Sequence, residues 1–183
     1  MVQRHEQLGI FHITTNAKDK ISWLTIDGVP TILIDNLLMT RTLYGGHVYA
    51  FCVLSDHMHI ILSPGEKGLS KFMQSFKSHA MIEVRQVLSG RSQMKPFTGN
   101  EESTGSAAAS HGSPLRGGIL FDEIRWQKGF HDERIRDGNQ CSNAVYYVHG
   151  NGMKHGYVSE ILDWPWTSLH FEHRLDPMEI WLD

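Results

Sequence analysis

Only two cysteines occur in the 183 residues, Cys52 and Cys141, far apart and set among apolar or small neighbours. They read as buried thiols in a reducing cytoplasm rather than as a disulfide pair. No apolar run approaches the ~20 residues that a membrane span needs, so no membrane partner is expected. The opening residues Met1-Val2-Gln3-Arg4-His5-Glu6 are polar and no apolar stretch follows them, so no signal peptide is expected. A strong positive charge is also missing. The net charge is -3, which does not advertise a nucleic-acid binder. Its distribution is less even, with 11 basic and 8 acidic residues from Gly65 to Arg136, against one basic and six acidic from Tyr157 to the end. A basic middle and an acidic tail suit a polyanion held on one face only. Disorder is excluded by a hydrophobic content of 40%, five Trp and eight Phe. The length fits one domain, or one domain with an insertion.

What the chain does have is histidine, 12 in all, and two of them stand one residue apart in Leu54-Ser55-Asp56-His57-Met58-His59-Ile60-Ile61-Leu62. In a strand alternate side chains share a face, so His57 and His59 point one way while Met58, Ile60 and Leu62 point to a core. Two such imidazoles can bind a divalent metal. About 0.8 His-x-His pairs are expected by chance at this composition, so the pair means something only if the chain supplies the rest of a site.

Leu8 to Thr15 reads as a first strand. A helix opens at Val29-Pro30 and ends at Gly45-Gly46. His47 to Leu54 and the histidine strand form a hairpin across Ser55-Asp56. A long helix spans Leu69 to Leu88, with Leu69, Phe72, Met73, Phe76, Ala80, Val84 and Val87 at helical spacing. Its other face carries Lys71, Lys77 and Arg85, which suit phosphate contacts. Residues 93–118 are poor in apolar side chains and read as a flexible loop. Trp126 to Arg136 reads as a strand with a bend at Gly129. A helix then runs from Gln140 to about His149, ended by Gly150-Asn151-Gly152. Residues 157–183 form a C-terminal extension that packs aromatics of Asp163-Trp164-Pro165-Trp166 on the domain. The order β-α-β-β-α-β-α predicts an α+β fold of ferredoxin-like type, an antiparallel β-sheet covered by helices on one face.

The late helix supplies the missing half. Tyr147 and Asn151 are four residues apart and share a helix face. Around them stands Tyr147-Val148-His149-Gly150-Asn151-Gly152-Met153-Lys154-His155-Gly156. This segment, with His57-Met58-His59, resembles the single-tyrosine transposases of the HUH superfamily. The branch it resembles most is the IS200-like transposases associated with repetitive extragenic palindromes, which show Tyr-Ile-His-x-Asn-Pro-Val-(Lys/Arg)-x-Gly here. Trp126-Gln127-Lys128-Gly129-Phe130-His131-Asp132-Glu133-Arg134-Ile135-Arg136, the Asp163-Trp164-Pro165-Trp166 box and Phe11-His12-Ile13-Thr14-Thr15 are similar to family segments too. The resemblance covers roughly Gly9 to His170. Two departures stand out: the family proline is Gly152, which loosens the helix end that aims Asn151, and the 93–118 loop is long.

The resemblance implies one HUH transposase-like domain over 1–183, an endonuclease and transposase that cuts and rejoins single-stranded or hairpin DNA through a 5′-phosphotyrosine. Tyr147 would be the nucleophile. His57, His59 and Asn151 would hold Mg²⁺ or Mn²⁺, since mixed N and O ligands with open positions suit either ion. Asp56 serves the turn and can accept from a ligand imidazole. Lys71, Lys77, Arg85, Lys128, Arg134, Arg136 and Lys154 are candidate DNA contacts. His12, His149 and His155 read as structural or DNA-facing rather than as ligands. Asn151 can also be a helix cap, and Tyr146 is the competing nucleophile. A bacterial cytoplasmic, nucleoid-associated protein is implied, with a homodimer left open. Two other functions stay open: a domesticated hairpin-binding protein that has lost the reaction, and an unrelated metal hydrolase using a water nucleophile.

Overall fold

Residues 9–90 and 119–178 are described in a computed structural model of the chain; the expected loop 93–118 lies outside them. The order is β1 (Ile10–Asn16), α1 (Val29–Tyr44), β2 (His47–Val53), β3 (His57–Ser63), α2 (Leu69–Leu88), β4 (His131–Ile135), α3 (Gly138–His149) and the single turn α4 (Asn151–Lys154). The strands form one antiparallel sheet in the order β2-β3-β1-β4. The expected α+β, ferredoxin-like sheet is the one observed. Local chemistry sets several boundaries. Pro30 sits in the first turn of α1, where its missing N–H costs nothing. Gly45 takes the left-handed conformation (φ 62°) that closes the helix.

The helices do not share one face, as the element order suggested. α1 and α2 cover one side, over a core holding Phe11, Ile13, Phe51, Met58, Ile60, Leu62, Phe72 and Phe76. α3 lies on the other side, over a smaller core of Ala50, Cys52, Leu54, Ile61 and Val148. Strand alternation feeds both cores at once, so β3 is buried almost throughout. A register shift between Val48 and Ala50 lets β2 keep step. Without it Val48 and Phe51 would point to opposite sides, yet both belong to the larger core.

The expected strand at Trp126–Arg136 is shorter than its pattern. Gly129 turns the chain with φ at 77°, and only His131–Ile135 pairs continuously with β1. Trp126 makes a single bridge to Ala17. The segment before β4 is held from α2 instead. Lys77 Nζ donates to the Gln127 and Gly129 carbonyl oxygens, both at 2.7 Å, and the Arg85 guanidinium donates to the Ile124 carbonyl at 3.1 Å. Burial draws the Lys77 ammonium down to about 8. Lys77→Ala should therefore lower stability by about 1 kcal/mol, since two charge-assisted bonds go but the group is half-exposed. A thermal melt checks this; an unchanged melting temperature would leave Lys77 free for another role.

The C-terminal residues run along the outer edge of β2. Val53 N–H donates to the Trp166 carbonyl at 2.9 Å, and Cys52 bridges Thr167. Further along, Asp176 N–H donates to the Val48 carbonyl while the Val48 N–H donates to the Asp176 carboxylate. Trp164 Nε1 donates to the Val53 carbonyl at 2.9 Å. Both cysteines are buried free thiols, as expected. Burial pushes Cys52 up to about 12. No helix among the described residues is long and apolar enough to cross a membrane.

Candidate active site

β3 builds the first half of the site. His57, His59 and Ile61 share the face that α3 covers, and the apolar contact ends at Ile61 with Val148. The two histidines lie beyond that contact, at the start of the strand. They are 6% and 4% exposed, with ring centroids 5.0 Å apart. Each is oriented through Nδ1. His57 Nδ1 pairs with the Asp56 carboxylate at 2.5 Å, which leaves Nε2 as its other donor atom. Asp56 is itself approached by Lys20 at 3.5 Å. Burial alone would raise the Asp56 carboxyl, but the hydrogen bond and charge of His57, with Lys20, hold it below its ordinary value. The turn residue thus also orients an imidazole, as expected.

His59 Nδ1 lies 3.0 Å from Thr14 Oγ1 and 3.2 Å from His12 Nε2. The register places Thr14 directly opposite His59 on β1. Burial, followed by the like charges of His57, His12, His155 and Lys154, drives His59 down to about 2, so its ring is neutral at working pH. Burial lowers His57 and His12 as well, against the opposing carboxylates of Asp56 and Glu133. Neutral imidazole is the form that can donate to a metal.

α3 and α4 bring the second half. Tyr147 stands edge-on to His59 at 5.3 Å between centroids and to His12 at 5.7 Å. It is 38% exposed, whereas Tyr146 is 73% exposed and borders a different hollow with Tyr49 and His149. Gly150 keeps a right-handed conformation, so the chain passes from α3 into α4 rather than stopping at Gly150-Asn151-Gly152. Asn151 is consequently no left-handed cap. It is fully buried, and its Nδ2 donates to the Tyr147 carbonyl at 2.6 Å. It lies between Tyr147 and His155, whose ring is 5.0 Å from that of His57. Lys154 Nζ donates to the Tyr147 hydroxyl at 3.2 Å and sits 4.3 Å from the centre of its ring.

Two buried atoms here have no hydrogen-bond partner, His59 Nε2 and Asn151 Oδ1. Buried polar atoms are normally paired, so an imidazole nitrogen and an amide oxygen left bare beside one another's elements fit a metal's donor set. Among the described residues no three His, Cys, Asp or Glu side chains converge as a metal site. The candidate donors are therefore the two imidazoles and the amide.

Of the candidate DNA contacts, Lys154 reaches this cluster. Lys71, Lys77 and Arg85 are on α2, on the other side of the sheet, as is Lys128 beside the same helix. Arg134 pairs in register with Phe11, on that far face too, and Arg136 follows the end of β4. His12 and Thr14 are the residues that sequence reasoning undervalued. Their signal was the alternation His12-x-Thr14, which becomes informative once β1 is known to lie beside β3.

The four-stranded antiparallel sheet, with a His-x-His strand facing a tyrosine-bearing helix, is the arrangement expected of an HUH-type fold. No family model matches the chain. A Haemophilus influenzae protein named as a REP-associated tyrosine transposase is 26% identical over 133 residues, which is 69% of this chain and 61% of that relative. An Escherichia coli K12 REP-associated tyrosine transposase is 36% identical over 45 residues, 25% of this chain and 27% of that one. The matches thus span about three fifths or less of these relatives' lengths. The solved structure of a REP-associated tyrosine transposase bound to a REP hairpin has the same fold, with a TM-score of 0.65 at 20% identity over 100% of this chain and 91% of that one. The chain is thus similar in sequence to two REP-associated tyrosine transposases and shares its fold with the hairpin-bound one.

Proposed function

We propose that this chain cuts and rejoins one strand of single-stranded or hairpin DNA by transesterification, with Tyr147 as the nucleophile. The observation that carries the reading is the edge-on placement of Tyr147 against His59 of the His57–His59 pair, together with the unpartnered His59 Nε2 and Asn151 Oδ1. The fold neighbour's capture with a REP hairpin supports a hairpin as the DNA form. A divalent ion such as Mg²⁺ or Mn²⁺, held by His57, His59 and Asn151, would supply a Lewis acid that draws charge from the scissile phosphate. The chain's own residues do the rest. Asp56 and Thr14 fix the two imidazoles. The Tyr147 oxygen attacks phosphorus, its proton passing to solvent. The phosphorus bond to the 3′ oxygen breaks, and that oxygen takes a proton to become a free 3′-hydroxyl. The 5′-phosphotyrosine keeps the bond energy, so the hydroxyl can attack in reverse without another energy source.

The test is incubation with hairpin oligonucleotides carrying single-stranded flanks, with Mg²⁺ or Mn²⁺, followed by a denaturing gel. Protein covalently linked to DNA is expected. Binding without an adduct would make the chain a hairpin-binding protein, and cleavage without an adduct would make it a hydrolase. The donor set has its own readout. Mn²⁺ at a hundredfold excess over its dissociation constant should stabilise the protein by about 2.7 kcal/mol. His57→Ala and Asn151→Ala should each abolish that thermal shift. A shift of equal size in both variants would place the ion elsewhere.

A further inference from the structure

We infer that Lys154 is a catalytic residue of the proposed reaction, the partner of the charge that the Tyr147 oxygen carries, rather than a contact to the DNA backbone. The inference rests on the transesterase reading above. A lysine near a nucleic-acid site is most often a phosphate contact, which fixes position and is lost to salt. The placement of Lys154 is more specific than that. Its Nζ is 3.2 Å from the phenol oxygen and 4.3 Å from the ring centre, so the ammonium lies against both the oxygen and the π-face of one residue. The backbone enforces this. α4 is anchored by the fully buried Asn151 and the buried Gly152, and Lys154 N–H donates to the Gly150 carbonyl at 3.0 Å in the same turn. Met153 and Lys154 project outward from that anchored turn, beside Tyr147 on the preceding one. No carboxylate is paired with Lys154 among the described residues.

The chemistry needs a cation at this point. In cleavage the phenol proton leaves to solvent, the oxygen–phosphorus bond forms, and the bond to the 3′ oxygen breaks with protonation of that oxygen. In rejoining the 3′-hydroxyl attacks, its proton leaves, and the Tyr147 oxygen departs with the electron pair of its bond to phosphorus. The negative charge on the tyrosine oxygen thus precedes one step and follows the other, and it falls on the same atom each time. A preorganised donor aimed at an atom where charge develops acts in both directions. Once the ester has formed the oxygen loses its charge, and Lys154 is released from that role until rejoining.

The test uses the full chain and three measurements on Lys154→Met and Lys154→Arg: hairpin affinity by fluorescence anisotropy, the single-turnover rate of adduct formation, and the rate at which purified adduct rejoins to a strand with a 3′-hydroxyl. Lys154→Met should slow both adduct formation and rejoining by about a hundredfold while affinity changes less than about threefold. Lys154→Arg should restore most of both rates. Loss of affinity in proportion to rate, or loss of one rate only, would overturn the inference, as would a Lys154→Met protein reacting at the normal rate. A native chain that forms no adduct would instead sink the transesterase reading, and this role with it.

Discussion

Tyr147→Phe should lose covalent adduct formation by at least about a thousandfold while keeping its fold and its affinity for a DNA hairpin. The change removes one oxygen from a residue that is 38% exposed. Among the described residues its hydroxyl bonds only to Lys154, at the surface, so melting temperature should move little. The ring contacts with His59 and His12 survive in phenylalanine, so the histidines stay where they are. What disappears is the atom that must become bonded to phosphorus. Tyr146→Phe is the matching control. Tyr146 follows the same helix but is 73% exposed and borders the hollow beside Tyr49, away from the paired imidazoles. Its variant should form adduct at the normal rate. A gel on which Tyr147→Phe still yields linked DNA, or on which Tyr146→Phe does not, would move the nucleophile.

Gly152→Ala should destabilise the protein by about 1–3 kcal/mol, as overpacking does. The sign makes this informative. In an exposed helix, replacing glycine by alanine stabilises by about 1 kcal/mol. Here a Cβ at position 152 would stand 2.7 Å from both Cβ and Cγ of Trp164, closer than such atoms approach. Trp164 cannot easily yield, because its Nε1 is committed to the Val53 carbonyl and its ring stacks on Tyr157 at 4.7 Å. The Gly152 N–H also donates to the buried Cys52 sulfur. Gly152→Pro, which installs the residue usual in the family pattern, adds loss of that donor and should be worse than alanine. Glycine here is therefore no loosening of the helix end. It lets α4 press against Trp164 and β2, and so locks the adjoining Asn151. Both variants should lose adduct formation along with stability, by thermal melt and gel respectively. A Gly152→Ala protein as stable as the native one would show that Trp164 gives way.

Some of this was legible from residue order. Met58, Ile60 and Leu62 do enter the larger core while His57 and His59 turn away, because a strand's period is two whatever surrounds it. The apolar spacing from Leu69 to Leu88 is the observed helix, residue for residue. Tyr147 and Asn151 do meet across one turn. Other features depend on contacts that no local pattern carries. α3 could be assigned to a face only after its small core was seen to be made of Ala50, Cys52 and Ile61, which alternate with the larger set. Lys77 looks like a solvated cation until its partners, two carbonyls some fifty residues away, are in view. Lone histidines on strands are uninformative, and His12 gained its meaning only from sitting one strand over from His59.

The run of backbone and side-chain bonds from Trp166 to Asp176 along β2 also bears on self-association. An exposed strand edge is a template on which another copy can add its own strand. At β2 the chain's own C-terminal residues already occupy both ends of that template, through Val53, Cys52 and Val48. Two copies joined by one continuous sheet would have to meet at β4, which offers five residues, one of them in register with the Thr14 that braces His59. Any dimer made that way would tie the assembly of the pair to the strand that orients a candidate metal ligand, whereas a dimer made elsewhere would leave each set of imidazoles indifferent to its neighbour.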